Sequence, residues 1–218
     1  MLVIDSSSRR VCVGVFDSEG HLHSRSSEED ASVSLFPLIK TLLSETDASL
    51  ATLKSIVFCE GPGSMLGIRT AVMGIRTWQG AGFIDKQCLY SFNSLGIGAE
   101  LVRGTHPSEN HFLVATDARR NSWNTLRVGS SRTESIKIVP NTELEKESLP
   151  VFSFHEFPTW TRSEANPTLL PYRPETVFAS PSFPALLSPN PEINPLDLRA
   201  MEFAKWKPVA RTADQIES

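Results

Sequence analysis

The chain of 218 residues contains no apolar run approaching the roughly 20 residues that span a bilayer. Its first apolar stretch, Leu2-Val3-Ile4, ends at Asp5 and is far too short for a secretion signal. A soluble, cytoplasmic protein without membrane contact is expected. Positive charge is also short: 21 Lys and Arg against 25 Asp and Glu give a net charge of -4, so the whole molecule has no electrostatic reason to bind nucleic acid on its own. Cysteine is limited to Cys12, Cys59 and Cys88, an odd number without metal-site spacing and set in apolar surroundings, which predicts buried, reduced thiols. Glycine disappears after Gly129, whereas 12 of the 15 prolines lie at or beyond Pro140. The last third therefore cannot build a glycine cradle for a nucleotide, and 154–195 should be mostly extended connections.

Several catalytic signatures are missing. No lysine follows the glycines at 61–67, so the phosphate loop G-x-x-x-x-G-K-[ST] is not there, and Gly61, Gly63 and Gly67 are spaced one residue too widely for G-x-G-x-x-G. His155-Glu156-Phe157-Pro158-Thr159 does not complete H-E-x-x-H, His21 and His23 alternate on a hairpin without further ligands, and Ser64 lacks the G-x-S-x-G context of a nucleophile. No metal site and no catalytic residue are expected.

What is present is a strand, a tight turn and a helix. Ile56-Val57-Phe58 is a β-branched and aromatic run, Gly61-Pro62-Gly63 makes the turn, and Ser64 can cap a helix from 64 to about 82. Upstream, strands are predicted over 2–4, 11–16 and 21–26. A helix over 34–45 follows, with apolar Leu35, Leu38, Ile39, Leu42 and Leu43 and with Ser34 as the N-cap that makes Pro37 tolerable. A strand at 88–91 and a helix over 93–102 complete a βββαβα order with one further strand. Phe112-Leu113-Val114-Ala115-Thr116-Asp117 repeats the plan of Leu2-Val3-Ile4-Asp5 at an offset of 112 residues, with strands predicted over 122–128 and 134–139. Two related lobes are expected, 1–105 and 106–218, with a last helix from Pro195 to Lys205 capped by Asn194.

These motifs together resemble the TsaB family, also called YeaZ. They are a first strand ending in Asp5-Ser6-Ser7, Leu35-Phe36-Pro37-Leu38-Ile39 on a helix, the Gly61-to-Arg69 elbow, and Thr116-Asp117-Ala118-Arg119-Arg120. The resemblance covers residues 1 to 129; 140–218 match poorly, and Met65 and Leu66 replace the family's aromatic and hydroxyl residues in the elbow. It implies an α/β fold of two ribonuclease-H-like lobes of the actin-like ATPase superfold, with mixed sheets flanked by helices. It also implies a non-catalytic accessory subunit that binds and activates a TsaD-like enzyme in forming threonylcarbamoyladenosine at tRNA position 37. A TsaE-like ATPase is the second implied partner, a homodimer forms when the chain is alone, and tRNA is met only through the complex. A peptidase is not expected despite the glycoprotease-like naming.

Two groups of residues are candidates for function. Gly67, Ala71 and Gly74 form a small-residue stripe on the helix after the elbow, which either packs on the helix of residues 34–45 or meets another chain. The resemblance implies a partner surface on these two helices, comprising Leu35, Leu38, Leu42, Gly67, Ala71, Gly74 and Trp78. Asp5, Ser6, Ser7, Gly61, Gly63, Ser64, Arg69, Asp117 and Arg119 are candidates to line a cleft or nucleotide site. Local turn chemistry explains the two aspartates equally well, and ion pairs explain the arginines. No cofactor is expected, although ATP or ADP at a partner interface is an alternative. A nucleotide-dependent enzyme of the actin or sugar-kinase type and a diverged homodimeric scaffold outside tRNA modification remain as alternative functions.

Overall fold

In a computed structural model, residues 1–130 and 133–198 are described. The chain runs β1 (Leu2–Asp5), β2 (Val11–Phe16), β3 (Leu22–Ser27), α1 (Ala31–Glu45), β4 (Ile56–Gly61), α2 (Met65–Gly80), β5 (Leu89–Asn93) and α3 (Ser94–Thr105). It continues through β6 (Phe112–Asp117), β7 (Ser122–Val128), β8 (Lys137–Pro140), α4 (Asn141–Leu144), β9 (Val151–Phe154), β10 (Thr168–Leu170), α5 (Pro174–Phe178) and β11 (Ser188–Pro189).

The two sheets repeat one plan. The first is ordered β11-β5-β4-β1-β2-β3 and the second β10-β9-β6-β7-β8. In both, the first three strands form an antiparallel meander, and the two later strands add in parallel on the other side of the first strand. This is the ribonuclease-H-like lobe, present twice. Asp5 pairs with Cys12 and Asp117 with Trp123, so the two aspartates end equivalent strands.

The layers follow from which faces are apolar. Leu2, Ile4, Val13, Ile56 and Phe58 on one face of the first sheet pack against Leu35, Leu42, Ile68 and Ile75 of α1 and α2. Val3, Val57 and Phe92 on the other face share a core with α3, α5 and Val114, Phe152 and Phe154 of the second sheet. One continuous core thus joins the two sheets. The outer face of the second sheet has a smaller core of Leu113, Ala115, Trp123, Leu144 and Val151. There, the four-residue α4 and the irregular stretch 155–167 stand where the first lobe has α1 and α2. The proline-rich tail returns to the first sheet, where β11 pairs with β5 and the Leu196 amide donates to the Glu60 carbonyl at 2.8 Å.

Two expectations are corrected. α1 starts at Ala31 with Asp30 at its N-cap, which places Pro37 in the second turn. Ser34 is not the cap: its hydroxyl donates back to the carbonyls of Glu29 and Asp30. The expected last helix begins in 195–198, which have no regular structure; the remainder of that span lies outside the described residues.

Candidate functional site

The elbow is built around backbone contact with the loop after β1. Gly61 and Gly63 take φ of +114° and +155°, which a side chain would resist. A Cβ on Gly63 would lie 2.1 Å from the Ser7 carbonyl oxygen, and one on Gly67 would lie 2.1 Å from that of Ser6. The Ser64 amide donates to the Ser7 carbonyl at 2.6 Å, and the Ser64 hydroxyl accepts from the Gly67 amide at 3.3 Å, as the sequence predicts for an N-cap. The glycines therefore serve close approach of α2 to the first lobe's own loop.

Asp5 lies at the centre of this packing and is fully buried, as are Ser6 and Ser7. One carboxylate oxygen accepts from the Ser7 amide at 2.9 Å and the Ser7 hydroxyl at 2.6 Å. The other accepts from the Tyr172 hydroxyl at 2.8 Å. Burial pushes the Asp5 carboxyl above its ordinary range, against the lowering effect of the Ser7 and Tyr172 donors. The Ser6 hydroxyl is buried without a hydrogen-bond partner among the described residues. The expectation that Asp5, Ser6 and Ser7 line an open cleft is thus corrected: Tyr172, wedged between Phe154 and Phe157, closes over them.

Asp117 repeats the arrangement in the second lobe. One oxygen accepts from the Arg119 amide at 2.5 Å. The other accepts from the amides of Trp160 and Thr161, at 2.7 and 2.6 Å. Each aspartate therefore makes a turn with the residue two positions on, and each uses its second oxygen to hold a segment from beyond β9. The local turn was legible in the sequence; Tyr172, Trp160 and Thr161 were missed, because nothing in the proline-rich segment marks which residues return.

The remaining candidates separate into two regions. A cavity of about 540 Å³ opens between the lobes, lined by Pro62, Gly63, Ser64, Asp117, Arg119 and Trp160 among others. Arg69 is not there. It lies across α2, beside a shallow groove of about 510 Å³ formed with Phe36, Met73, Gly74, Thr77 and Trp78. On this α1–α2 face Leu35, Leu42, Gly67, Ala71 and Gly74 are buried and Leu38 and Trp78 half-buried. The small stripe packs inside the chain: Gly67 meets Ser6, and Gly74 meets the Phe36 ring. Most of the proposed contact residues are thus packed inside the chain, against the loop after β1 or between α1 and α2. The apolar side chains that face outward are Val33, Phe36, Met65, Leu66 and Met73, of which Met73 is 58% exposed.

Cys12, Cys59 and Cys88 are free thiols, the first two buried. Among the described residues no His, Cys, Asp or Glu side chains group as a metal would require, and no helix is long and apolar enough to cross a membrane.

The family model for TsaD, tRNA N6-adenosine threonylcarbamoyltransferase, matches residues 20–137, more than half of the chain. The chain belongs to the TsaD family. The match runs from β3 through the elbow to β8, and so includes α1, α2 and the Asp117 turn. No curated protein matches this TsaD-family chain by sequence. Its fold is shared with an uncharacterized protein with similarity to peptidase YEAZ from Pseudomonas aeruginosa. That structure is 20% identical, with 91% of this chain and 98% of the other covered, at a TM-score of 0.64. YeaZ from Pseudomonas aeruginosa is also 20% identical, with coverage of 79% and 84% and a TM-score of 0.57. The protein is thus a YeaZ-like member in architecture, with two ribonuclease-H-like lobes.

Proposed function

We propose that this protein is a non-catalytic accessory subunit that binds and activates a TsaD-like enzyme in forming threonylcarbamoyladenosine at tRNA position 37, with a TsaE-like ATPase as second partner. The observation that carries this reading is the outward apolar strip on α1 and α2, where Phe36, Met73 and the half-buried Trp78 border a groove beside the elbow. An exposed strip of this kind on a small, otherwise well-packed chain suits a protein interface. The burial of Asp5 under Tyr172 favours the non-catalytic reading over a nucleotide-dependent enzyme of the actin or sugar-kinase type, because a carboxylate that reaches magnesium or phosphate must be open to it.

Size-exclusion chromatography with light scattering, on this protein mixed with the TsaD-like protein of the same organism, tests the proposal. A 1:1 complex is expected for the wild type and its loss for Met73→Arg, since a charge placed at the centre of an apolar contact is left unpaired. Met73 is exposed, so the substitution should leave stability within about 0.5 kcal/mol. Absence of a complex with the wild-type chain would refute the accessory role, and saturable magnesium-ATP binding by the isolated chain would favour the enzyme.

A further inference from the structure

The turn after β6 carries an unusual backbone. Arg119, Arg120 and Asn121 are three consecutive residues in the left-handed region, with φ of +61°, +51° and +55°. Side chains other than glycine adopt this conformation at a cost, and a run of three persists only where the surroundings enforce it. Here Asp117 holds the first of them, its carboxylate taking the Arg119 amide with one oxygen and the Trp160 and Thr161 amides with the other, while the Ser122 amide donates to the Arg119 carbonyl and the Asn141 amide to that of Asn121. Asp117 therefore ties the start of the arginine turn to the segment that faces it.

The result is an exposed pocket of about 470 Å³ lined by Arg119, Arg120, Asn121, Trp160, Thr161 and Arg162. Three guanidinium groups and no carboxylate line it, in a protein whose net charge is -4. Among the described residues, no Asp or Glu forms a salt bridge with Arg120 or Arg162. The Arg119 guanidinium sits over the Trp160 ring at 4.4 Å, yet the tryptophan remains 59% exposed, so ring surface is open beside the arginine. An exposed indole in packed company normally costs burial energy, and the Arg120 and Arg162 charges that share the pocket repel one another; both costs are offset when an anion and a flat apolar ring dock together.

We propose that this pocket binds single-stranded RNA, with phosphates on Arg120 and Arg162 and an unstacked base on the free surface of Trp160. Guanidinium groups match phosphate oxygens, and an aromatic ring beside them accepts any base by stacking, which is how unpaired nucleic acid is held without reading sequence. The inference extends the proposed role by giving this chain an RNA contact of its own. It does not need the α1–α2 surface, so the two readings fail separately.

The test is fluorescence anisotropy of a labelled 12-nucleotide single-stranded RNA of mixed sequence, titrated with the isolated wild-type protein between 50 and 200 mM salt. Saturable binding that weakens with salt is expected. Arg120→Ala with Arg162→Ala should reduce affinity at least tenfold and lower the slope of log K against log salt by about 1.4, as two phosphate contacts require. Trp160→Ala should reduce affinity about five- to a hundredfold at unchanged salt slope, a split that general electrostatic attraction would not produce. Inorganic phosphate should compete only weakly, because it has no base to stack. Wild-type binding unchanged in all these variants, or no binding at 50 mM salt, would overturn the proposal; competition by phosphate equal to that by unlabelled RNA would reduce the site to an anion pocket and also overturn it.

Discussion

Tyr172→Phe removes a single oxygen from the latch between the first strand and the tail and leaves the aromatic packing of Tyr172 on Phe154 and Phe157 in place. The lost contact is a 2.8 Å donation to a fully buried carboxylate. A hydrogen bond to a charged group contributes about 1.5–3 kcal/mol, and little is recovered here because water cannot reach Asp5 to replace it. A loss of about 2 kcal/mol is expected where Asp5 is ionised, read as a lower urea midpoint at unchanged m. The pH dependence identifies the cause. The Asp5 carboxyl is already raised above 3.8 in the folded state by burial, so its contribution is fully present below pH 3.8 and is lost as pH rises through the folded value. Removing the Tyr172 donor raises that folded value further, and the loss continues to higher pH. The gap between wild type and Tyr172→Phe should therefore be smallest below pH 3.8 and widen as pH rises through the folded values. In an Asp5→Asn background it should become independent of pH. A pH-independent loss below about 0.5 kcal/mol would show that the hydroxyl does not hold an ionised Asp5, and the account of the sealed site would fail.

The elbow glycines should separate by what they touch. Gly67→Ala drives a Cβ to within 2.1 Å of the Ser6 carbonyl and should cost about 1–3 kcal/mol or more, whereas Gly74→Ala meets only the outer edge of the half-exposed Phe36 ring and should be nearly neutral, helped by about 1 kcal/mol of helix propensity; thermal unfolding followed by circular dichroism compares the two. Glu175→Gln tests the tail's second anchor, the paired hydrogen bonds from Arg10 at 2.8 Å each. Burial is the largest single effect on Glu175 and opposes its ionisation, but the Arg10 hydrogen bonds, a backbone amide, the Arg10 charge and the Cys12 thiol together hold the carboxyl below its ordinary 4.5. The contribution of the pair is present above pH 4.5 and lost as pH falls below it. Glu175→Gln should therefore cost about 1–2 kcal/mol at pH 7 and progressively less in acid, again by urea unfolding.

Legibility followed the range of the interactions. The first lobe was readable almost element by element, because most of its strands are short β-branched, apolar runs and its helices announce themselves by the Ser64 cap and by the apolar spacing of 35–43. Its duplication was readable from a single 112-residue offset, since the first strand and its terminal aspartate recur together. The start of α1 was misplaced because Ser34 looks like a cap to any local rule, while in the fold its hydroxyl turns back to Glu29 and Asp30. The stripe Gly67, Ala71, Gly74 posed a different difficulty. Helical spacing places three small residues on one face, but only the fold reveals that the face meets Ser6 and Phe36 of the same chain. A partner-surface probe placed at Gly67 would consequently destroy the elbow that it was meant to leave intact, and the exposed Met73 is the sound choice.

The two aspartates join the legible part to the hidden part. Each predicted its own turn, through an amide two residues on, and neither predicted its second partner, which arrives from 43 to 167 residues away. Such partners lie in the glycine-free, proline-rich tail, where no periodicity distinguishes Tyr172 or Trp160 from their neighbours. Yet the pairing explains why that tail needs little regular structure of its own. Tyr172 on Asp5, Glu175 on Arg10, Trp160 and Thr161 on Asp117, and β11 on β5 fix it at points spaced along its length. Between those points the prolines limit the unfolded chain's freedom and so reduce the entropy that ordering it costs. Remodelling of the second lobe is then a change in how the aspartates are used: the positions that end the first strands of both sheets are committed to holding the tail, while the arginine turn at 119–121 and the α1–α2 face keep their outward side chains exposed.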